Sequence, residues 1–578
     1  MFVPSGAVEN GACANSSRPC CWLKGEPGLV PTPSTIPLIS AGVVAQRGLP
    51  APVIIEERFS AEPEFATVRW TVNFSSKNAS RPFGSQSLGS WLAMDAGASQ
   101  SQSSYKMWVA YGSKAPLAPG GYFEPFSLPN ATWTYGVRDG GTDTFGIPVA
   151  MLTRGSAGVS LSLSAEDRIV DLELTSMLSR GTGAAVGFGR QRHRLGAGVS
   201  VHSTQFIIGH GDAKGMMPAD WRGLLGWYTG KHSQWFVPDP RAKALESFAG
   251  GSAQYCDLRQ QNYSAEELSS FGLTLNWDAS FAWDFWGNFL PQEQEFERCT
   301  CVGHQDGSSG VALPFDCFAN GSRADGMSPS DPAATCEQLS LQQIASWYRR
   351  ARDKGVATVL YQDPLEWGAQ LVPVDVDISQ SCPVSNTSVF CRANRLFRSK
   401  FEPAALAGNA GPGTLDFQPV EYITRGLLII DALHAPYQDF IVDMAKRMVT
   451  LPVAGIAWDR SDHATALNGR LDDGIAWDAG TGNITSWLGT GWQQVVARVA
   501  EVFHGSGMAM LHNSYTNRQD FNRHMDGIYD ENGDQSWRTP VDALLGLSKS
   551  VWIWDHCGQQ ERDHRLAACS RDASETHA

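Results

Sequence analysis

The sequence lacks the features that mark several large protein classes. No apolar stretch approaches the roughly 18 residues that would predict a membrane-spanning helix. No run of lysine and arginine occurs, and a formal net charge of −14 would repel the phosphates of a nucleic acid. A Gly-x-x-x-x-Gly-Lys-Ser/Thr phosphate loop is absent, and no Gly-x-Ser-x-Gly motif follows a strand convincingly. These absences argue against a membrane span, a nucleic-acid partner, a P-loop enzyme and a serine hydrolase.

Paired cysteines with the Cys-x-x-Cys spacing of a zinc site are also absent, although the chain has 12 cysteines. Their even number and their Gly/Ser/Pro/Asn-rich surroundings predict disulfides and therefore a secreted or secretory-pathway location. The chain starts without the basic and apolar regions of a signal peptide. A secretory location therefore requires that the signal was removed or lies upstream; otherwise this interpretation fails. N-glycosylation sequons agree with it and begin at Asn15, Asn73, Asn78, Asn130, Asn262, Asn320, Asn386 and Asn483.

A chain of 578 residues is too long for one hydrophobic core and predicts two or three domains. Short alternating runs between turn residues predict an antiparallel β-sandwich in the first half. Strand-like runs that alternate with helix-like runs predict a (β/α)8 TIM-type barrel in the second half. The predicted boundaries are 1–50 for a Cys/Pro-rich extension, 51–235 for the β-sandwich, 236–270 for a connector, and 271–578 for a catalytic barrel with a disulfide-tied insert at about 291–335.

The barrel strands are predicted from apolar runs bounded by polar loops. A closed barrel needs eight strands, so either one further strand exists or the barrel stops before closure near the C-terminus. The predicted strands are 273–277, 357–361, 427–431, 453–459, 508–512, 527–530 and 550–555.

Two of these runs end on carboxylates. Gly-Ile-Ala-Trp ends at Asp459, and Gly-Ile-Tyr ends at Asp530, which Glu531 follows. Side chains at the C-terminal ends of barrel strands converge on one site. Two carboxylates in one pocket can cleave a glycosidic bond, since one attacks the sugar or activates water and the other protonates the leaving oxygen. Asp459 could instead be a structural residue that caps the following helix.

A β-sandwich followed by a barrel, with acidic residues ending strands four and six, resembles the α-glucosidase/α-galactosidase superfamily of retaining glycoside hydrolases. The resemblance implies that Asp459 is the nucleophile and that Asp530, or its neighbour Glu531, is the acid/base. The superfamily's strand-four signatures Trp-x-Asp-Met-Asn and Lys-Tyr-Asp are absent, and Arg460 follows the aspartate instead. Arg460 would favour the ionised form of Asp459.

Further polar and aromatic residues at strand ends are predicted to bind the sugar. Indole rings pack on the C–H faces of sugars, and carboxylates accept hydrogen bonds from sugar hydroxyls. No organic cofactor is predicted, and the expected partner is a carbohydrate substrate. The predicted substrate-binding residues are Trp277, Asp278, Trp283, Asp284, Asp363, Asp431, His434, Arg460, His512 and Asp555.

Two alternatives remain open from the sequence. One is a metal-dependent hydrolase, although the first barrel strand lacks the His-x-His that such barrels usually carry, and a structural calcium ion could bind near Asp472 and Asp473. The other is a catalytically inactive carbohydrate-binding relative. The metal ligands available to the first alternative would be Asp431, His434, Asp459, Asp462, His463, His512, Asp555 and His556.

Overall fold

The computed structural model describes most of the chain between residues 53 and 553. The extension at 1–50 is described only at its two strands, and the interior of the predicted insert lies outside the described residues. The described ranges are 2–7, 44–45, 53–62, 66–76, 82–84, 88–94, 105–113, 121–136, 143–179, 183–214, 216–254, 264–278, 287–300, 335–368, 378–385, 389–406, 427–459, 461–513, 516–530 and 538–553.

The first half of the chain is rich in β-strands, as predicted. The strand at 67–75 shows why, because Trp70, Val72 and Phe74 alternate with more exposed residues and are buried on one face. The strands are β1 (Phe2–Ala7), β2 (Val44–Ala45), β3 (Ile54–Ala61), β4 (Thr67–Ser75), β5 (Phe83–Gly84), β6 (Leu88–Met94), β7 (Lys106–Tyr111), β8 (Phe126–Ser127), β9 (Ala131–Tyr135), β10 (Thr144–Arg154), β11 (Ala157–Leu163), β12 (Asp171–Ser179), β13 (Gly183–Gln191), β14 (Arg194–Leu195) and β15 (Val201–His210).

The two separate sheets of the predicted sandwich are joined into one hydrogen-bonded sheet of 13 strands, in which 11 strands form a continuous path and β7 and β8 branch from β10. The junction is β10, whose first residues pair with β9 and whose last six residues pair with β11. The register of β10 against β7 shifts between Phe145 and Ala150, as is typical of a strand that passes from one sheet layer to another. Trp70 and Leu161 from one part of the path share a buried core with Trp133 and Leu174 from the other. The sheet therefore folds back around its own core.

The second half contains a parallel sheet of seven strands in the order in which they occur along the chain. We count its strands from one to seven below. Strand four therefore ends immediately before Asp459, and strand six ends at Asp530. The strands are β16 (Gly251–Gln254), β17 (Leu275–Asp278), β20 (Ala357–Gln362), β23 (Gly455–Trp458), β28 (Ala509–Asn513), β29 (Gly527–Asp530) and β30 (Ser550–Ile553).

Two assignments from the sequence are corrected here. The predicted strand at 427–431 does not join the parallel sheet, because β22 (Leu427–Ile429) pairs antiparallel with β21 (Glu366–Gly368). Its apolar residues are buried beside the sheet, and a short buried run has the same composition in either place. The first strand of the sheet, Gly251–Gln254, lies inside the segment interpreted as a connector. The sheet gains one strand at Gly251–Gln254 and loses the predicted strand at 427–431. The strands that end at Asp459 and Asp530 are therefore still the fourth and the sixth.

The parallel sheet is strongly curled. The rings of Trp277 on strand two and Tyr529 on strand six have centroids 5.6 Å apart. In a flat sheet, four strand spacings would separate them by about 19 Å. The sheet therefore wraps around an interior that these rings fill, as the strands of a β/α barrel do.

Helices surround the outer face of the curled sheet. Trp492 on α7 contacts Trp458, and Tyr348 on α3 contacts Asp278. No described helix is both long and apolar enough to span a membrane. The α-helices are α1 (Trp221–Lys231), α2 (Ala265–Ser270), α3 (Leu341–Asp353), α4 (Ile378–Ser381), α5 (Val389–Leu396), α6 (Ala435–Met448), α7 (Leu488–Gly505) and α8 (Arg538–Gly546), with a π-helix at Phe397–Phe401 and 3-10 helices at Gly121–Phe123, Ser233–Trp235, Lys243–Ser247, Glu402–Ala404, Ser461–Thr465 and Gln519–Phe521.

Short two-stranded sheets lie in the loops of both halves. One of them, β18 (Glu295–Thr300) with β19 (Thr335–Ser340), forms the base of the predicted insert. A disulfide joins Cys382 to Cys391 in the segment that precedes the π-helix. The remaining pairs are β5 with β14, β21 with β22, β24 (Leu467–Asn468) with β27 (Ser486–Trp487), and β25 (Trp477–Asp478) with β26 (Asn483–Ile484).

Candidate active site

Asp459 lies at the C-terminal end of strand four, on the inner face of the curled sheet. Its backbone N–H donates to Gln362 O of strand three at 3.0 Å, so the sheet fixes its position. The residue is 7% exposed, so it is buried but keeps a small solvent-accessible surface. Tyr361 Oη donates to one carboxylate oxygen at 2.9 Å, and Asn513 Nδ2 donates to the other at 3.0 Å. Both donors favour the ionised carboxylate over the neutral acid.

The register of the sheet explains this arrangement. Ala457 on strand four pairs with Tyr361 on strand three and with Leu511 on strand five. Asp459 and Asn513 each follow their paired residue by two positions, so they point to the same face as Tyr361. Strands three, four and five therefore deliver a donor, a carboxylate and a second donor to one point.

Tyr361 remains a phenol in this setting. Burial raises the pKa of Tyr361 well above its usual range, and the nearby carboxylates Asp459, Asp363 and Glu366 raise it further. A phenol that keeps its proton at neutral pH can donate its hydrogen bond to Asp459. Tyr361 was not among the predicted site residues.

Aromatic rings line the interior next to Asp459. Trp277 packs against Tyr361 at 5.4 Å and against Tyr529 at 5.6 Å, and Phe289 packs against Tyr361 at 5.7 Å. Tyr529 Oη donates to Trp458 O at 3.2 Å, which connects strand six to strand four. Trp277 was predicted to bind substrate, and the structure places it in this aromatic group beside the Tyr361–Asp459 hydrogen bond.

Strand three continues into a second polar group. Asp363 is fully buried, and its carboxylate accepts from Leu365 N at 2.9 Å. Glu366 is also fully buried and bonds to His463 Nε2 at 2.7 Å. His463 lies in the 3-10 helix that begins two residues after Asp459. The Glu366–His463 bond therefore joins the loop after strand three to the loop after strand four.

The register places Asp530 on the opposite face of strand six from Tyr529. Ile528, two residues earlier, packs with Leu544 and Leu545 of α8 on the helix side of the sheet. Asp530 pairs with Ile553 at the end of strand seven. A residue that shares its face with Ile528 points away from the interior that holds Asp459. Sequence reasoning left Asp530 and Glu531 as alternatives, and Glu531 itself lies outside the described residues.

Asp278 occupies the helix side as well. Its carboxylate accepts a hydrogen bond from Tyr348 Oη of α3 at 2.6 Å, and it is 5% exposed. It follows Trp277 directly in the strand, so the two side chains point to opposite faces. The structure therefore separates these two predicted substrate ligands: Trp277 lies inside, and Asp278 fastens a helix to the outside of the sheet.

Asp431 and His434 lie in the segment that leaves the parallel sheet. Asp431 is fully buried and accepts from Leu433 N at 2.9 Å, Ser486 Oγ at 2.5 Å and Asn468 Nδ2 at 3.3 Å. Burial raises the pKa of Asp431. His434 precedes α6 and donates from Nε2 to Lys400 O at 2.8 Å. These bonds hold loops together, and the predicted role of both residues in substrate binding stays a prediction.

His512 points to the helix layer. It is fully buried, its ring lies 5.1 Å from that of Trp492 on α7, and its Nδ1 bonds to Asn522 Oδ1 at 2.8 Å. Its neighbour Asn513 is the residue that reaches Asp459. The predicted polar residue at the end of strand five is thus present, but the position that faces the interior is 513.

The buried His512 predicts an acid-dependent loss of stability. Burial, followed by the nearby charge of Lys549, lowers the pKa of His512 to about 4 from an ordinary value near 6.5. The unfolded chain therefore binds a proton first as the pH falls, and the stabilisation is complete above about pH 6.5 and decreases towards pH 4. We expect the free energy of unfolding to fall between pH 7 and pH 5, and His512→Asn to lessen that slope by up to about 1.4 kcal/mol per pH unit. Urea unfolding at several pH values measures the slope; an unchanged slope in the variant would contradict this role.

The remaining predicted residues lie outside the described part of the chain. Within that part, no three His, Cys, Asp or Glu side chains are grouped so that they could hold a metal ion. Sequence reasoning did not select Tyr361 or Tyr529 as site residues. The predicted residues outside the described part are Trp283, Asp284, Arg460, Glu531 and Asp555.

Comparisons with known proteins give distant structural similarities only. No protein-family model matches the chain, and no curated protein matches its sequence. The structure is similar to the galactosidase domain of the α-galactosidase-sucrose kinase AgaSK, with 11% identity, a TM-score of 0.48, and coverage of 88% of this chain and 60% of that one. It is similar to an α-galactosidase from Lactobacillus brevis, with 11% identity, a TM-score of 0.46, and coverage of 92% and 67%. It is also similar to a GH31 dextranase from Flavobacterium johnsoniae, with 9% identity, a TM-score of 0.45, and coverage of 92% and 60%.

The chain therefore spans 60% of the length of the first of these proteins. All three TM-scores are below 0.5, and none of the three identities exceeds 11%. Similarity at this level assigns no residue roles.

Proposed function

We propose that this chain is a retaining glycoside hydrolase and that Asp459 is its nucleophile. The observation that carries the proposal is the inner-face position of Asp459 at the C-terminal end of strand four, where Tyr361 and Asn513 donate to its two oxygens. Barrel active sites lie at that end of the strands. A carboxylate held by two donors keeps one orientation and keeps its charge, and both properties suit attack on an anomeric carbon.

The proposed acid/base is Glu531. Alternation along strand six puts Asp530 on the face of Ile528, next to the helices. Glu531, the other carboxylate of the predicted pair, is therefore the candidate for the acid. In the first step Asp459 forms a bond to the anomeric carbon, and the leaving oxygen takes the proton of the Glu531 acid as the glycosidic bond breaks. In the second step Glu531 removes a proton from water, which attacks the same carbon and releases Asp459.

The aromatic interior beside Asp459 supports a sugar as the ligand. Trp277 contributes an indole ring next to Tyr361, and the buried polar group of Asp363, Glu366 and His463 lies along the same strand-three edge. Flat apolar faces and fixed hydrogen-bonding groups together match a pyranose ring. We propose that Trp277 and Asp363 contact the sugar, and that Trp283 and Asp284, predicted from the sequence, complete its surroundings. A closed eight-stranded barrel and an oxidising compartment likewise stay predictions.

A panel of aryl α- and β-glycosides, assayed with and without EDTA, tests the proposal. We expect turnover of one sugar and one anomer, unchanged by EDTA, with retained configuration in the first product. Turnover that EDTA abolishes would favour the metal-dependent hydrolase. Sugar binding without turnover on any substrate would favour the inactive carbohydrate-binding relative. Inverted configuration would contradict the covalent role of Asp459.

We expect Tyr361→Phe to lower activity without abolishing it. The variant loses only the hydroxyl that donates to Asp459, so the aromatic packing is kept. We expect kcat/KM to fall about 10-fold to 100-fold, since a hydrogen bond to a charged group contributes about 1.5–3 kcal/mol. The acidic limb of the pH profile should move up by about one pH unit, because the ionised carboxylate loses a donor.

Tyr437→Phe is the matched control for that variant. Tyr437 is also a buried tyrosine, its ring packs on Trp367 and Phe401, and its hydroxyl has no hydrogen-bond partner among the described residues. We expect its pH profile to match the wild type. An acidic limb that stays in place in Tyr361→Phe, or that moves equally in both variants, would contradict the role given to Tyr361.

A further inference from the structure

The loop after strand five is seated on the N-terminal β-sheet. Asn517 Nδ2 donates to Gly112 O, at the end of β7, at 2.8 Å. Asn517 is fully buried and has a φ of 49°, a conformation that non-glycine residues adopt rarely. At Gly136 a Cβ atom would lie 2.4 Å from Arg518 Cγ, so only glycine allows this close approach. The two halves of the molecule are therefore fitted closely together at this loop.

Arg518 is the centre of that contact. Its guanidinium carbon lies 4.5 Å from the ring centroid of Tyr135 in the N-terminal sheet, and 4.6 Å from that of Trp487. Its nitrogens donate to Val170 O at 3.2 Å and to Ile169 O at 3.4 Å, both in the N-terminal half. The side chain is 2% exposed. An arginine that is stacked and bonded in this way fixes the loop in one position.

Asp520 completes the arrangement around Arg518. It accepts from Arg518 Nε at 2.9 Å and from a terminal nitrogen at 2.7 Å, which is a bidentate pair. The backbone N–H of Asp520 donates to Tyr135 Oη at 3.3 Å. The positive charge of Arg518 is therefore compensated inside the interface, and its removal would leave the partly buried Asp520 without its charged partner.

A short path of contacts connects this interface to Asp459. Thr516 immediately precedes Asn517, and its Oγ1 lies 3.4 Å from Ser461 Oγ. Ser461 Oγ also donates to Asn513 O at 3.4 Å. Asn513 then donates from its side chain to Asp459 at 3.0 Å. The loop that Arg518 holds thus begins at the residue that orients the candidate nucleophile.

We propose that Arg518 is a positioning residue, through which the N-terminal β-sheet holds Asn513 against Asp459. The proposal rests on the proposed function of Asp459. It assigns the N-terminal half a part in the reaction that is separate from bracing the fold. Lysine cannot substitute, because it lacks the planar group that stacks between two rings while it donates to two carbonyls and a carboxylate.

The test compares Arg518→Lys and Asn513→Ala with the wild type. We expect Asn513→Ala to move the acidic limb of the kcat/KM profile to higher pH by about one unit, since the ionised carboxylate loses a donor. Arg518→Lys should move it in the same direction and lower kcat about 10-fold or more, because a small misplacement of a reacting group has effects of that order. The double variant should show no further shift beyond that of Asn513→Ala.

Arg523→Met is the matched control. Arg523 also stacks on a tryptophan, with its guanidinium carbon 4.7 Å from the ring of Trp235, and pairs with Glu166 of the N-terminal half at 3.3 Å. Neither of these two side-chain contacts leads to Asn513. We expect a lower unfolding midpoint at most, and an unchanged pH profile. A profile that stays in place in Arg518→Lys, or that moves equally in Arg523→Met, would overturn the proposal.

A second readout separates this proposal from the proposed function. Thermal unfolding midpoints of Arg518→Lys, Asn513→Ala and the double variant need no substrate. If one contact path joins the two residues, the unfolding midpoint of the double variant falls by less than the sum of the falls in the two single variants. Additive losses would overturn the positioning role even in an active enzyme. Non-additive losses in a protein that turns over no glycoside would instead reject the proposed function and keep the connection between the two halves.

Discussion

Asp459→Asn is expected to lose roughly 10⁴-fold to 10⁶-fold in kcat and to keep the fold. The size follows from the removal of a nucleophile on which both chemical steps depend. Asparagine has nearly the same shape, and its amide oxygen can still accept the hydrogen bond from Tyr361. Its NH2 group faces Asn513, whose side-chain amide can turn over and accept in place of donating. The unfolding midpoint should therefore change little. Initial rates on the best aryl glycoside, together with thermal unfolding, measure both quantities.

Asp443→Asn is the control for that substitution. Asp443 lies on the exposed side of α6, where it pairs with Lys446 at 2.9 Å, and exposed pairs of this kind contribute little to stability. We expect wild-type activity from it. Activity of Asp459→Asn within tenfold of the wild type would show that the carboxylate is not the nucleophile, and a large fall in its unfolding midpoint would favour the structural interpretation of Asp459.

Glu531→Gln is expected to have the second largest effect. Loss of a general acid lowers the rate by about 10²-fold to 10⁴-fold, most strongly for leaving groups that need protonation. We therefore expect alkyl glycosides to lose far more activity than activated nitrophenyl glycosides, for which the first step needs little acid. The ratio of the two rates, wild type against variant, measures the role directly.

Asp530→Asn provides the comparison within the same dipeptide. Because Asp530 shares the helix face of strand six with Ile528, its substitution should act mainly on stability. We expect its effect on the two leaving groups to be equal. If Asp530→Asn showed the leaving-group dependence and Glu531→Gln did not, Asp530 would be the acid/base and the assignment of that role to Glu531 would be wrong.

Two strand ends were predictable from the sequence because an apolar run that stops on a carboxylate is a local pattern. Asp459 at the end of strand four was found in this way. The strand Gly251–Gln254 was missed because Gly-Ser-Ala-Gln contains no β-branched or aromatic residue. The run at 427–431 was misplaced because a buried strand beside the sheet has the same composition as one within it.

The direction of each side chain was not predictable, because it depends on register. A shift of one residue exchanges the faces of a strand. Asn513 reaches Asp459, whereas the adjacent His512 packs on Trp492. Asp278 faces the helix side for the same reason, whereas Asp431 follows a strand that is not part of the parallel sheet. Local sequence showed polar residues near strand ends but not which of them faced the interior. Tyr361 was overlooked because a tyrosine within an apolar run is usually a packing residue.

The most direct test of the central claim is to identify the residue that becomes glycosylated during turnover. The enzyme would be incubated with an activated 2-deoxy-2-fluoro glycoside of the sugar that the substrate panel selects, and its proteolytic peptides would be measured by mass spectrometry. We predict one added glycosyl group on the peptide that contains Asp459, and none in Asp459→Asn. A glycosyl group on a different residue, or turnover with inverted configuration and no adduct, would contradict the account.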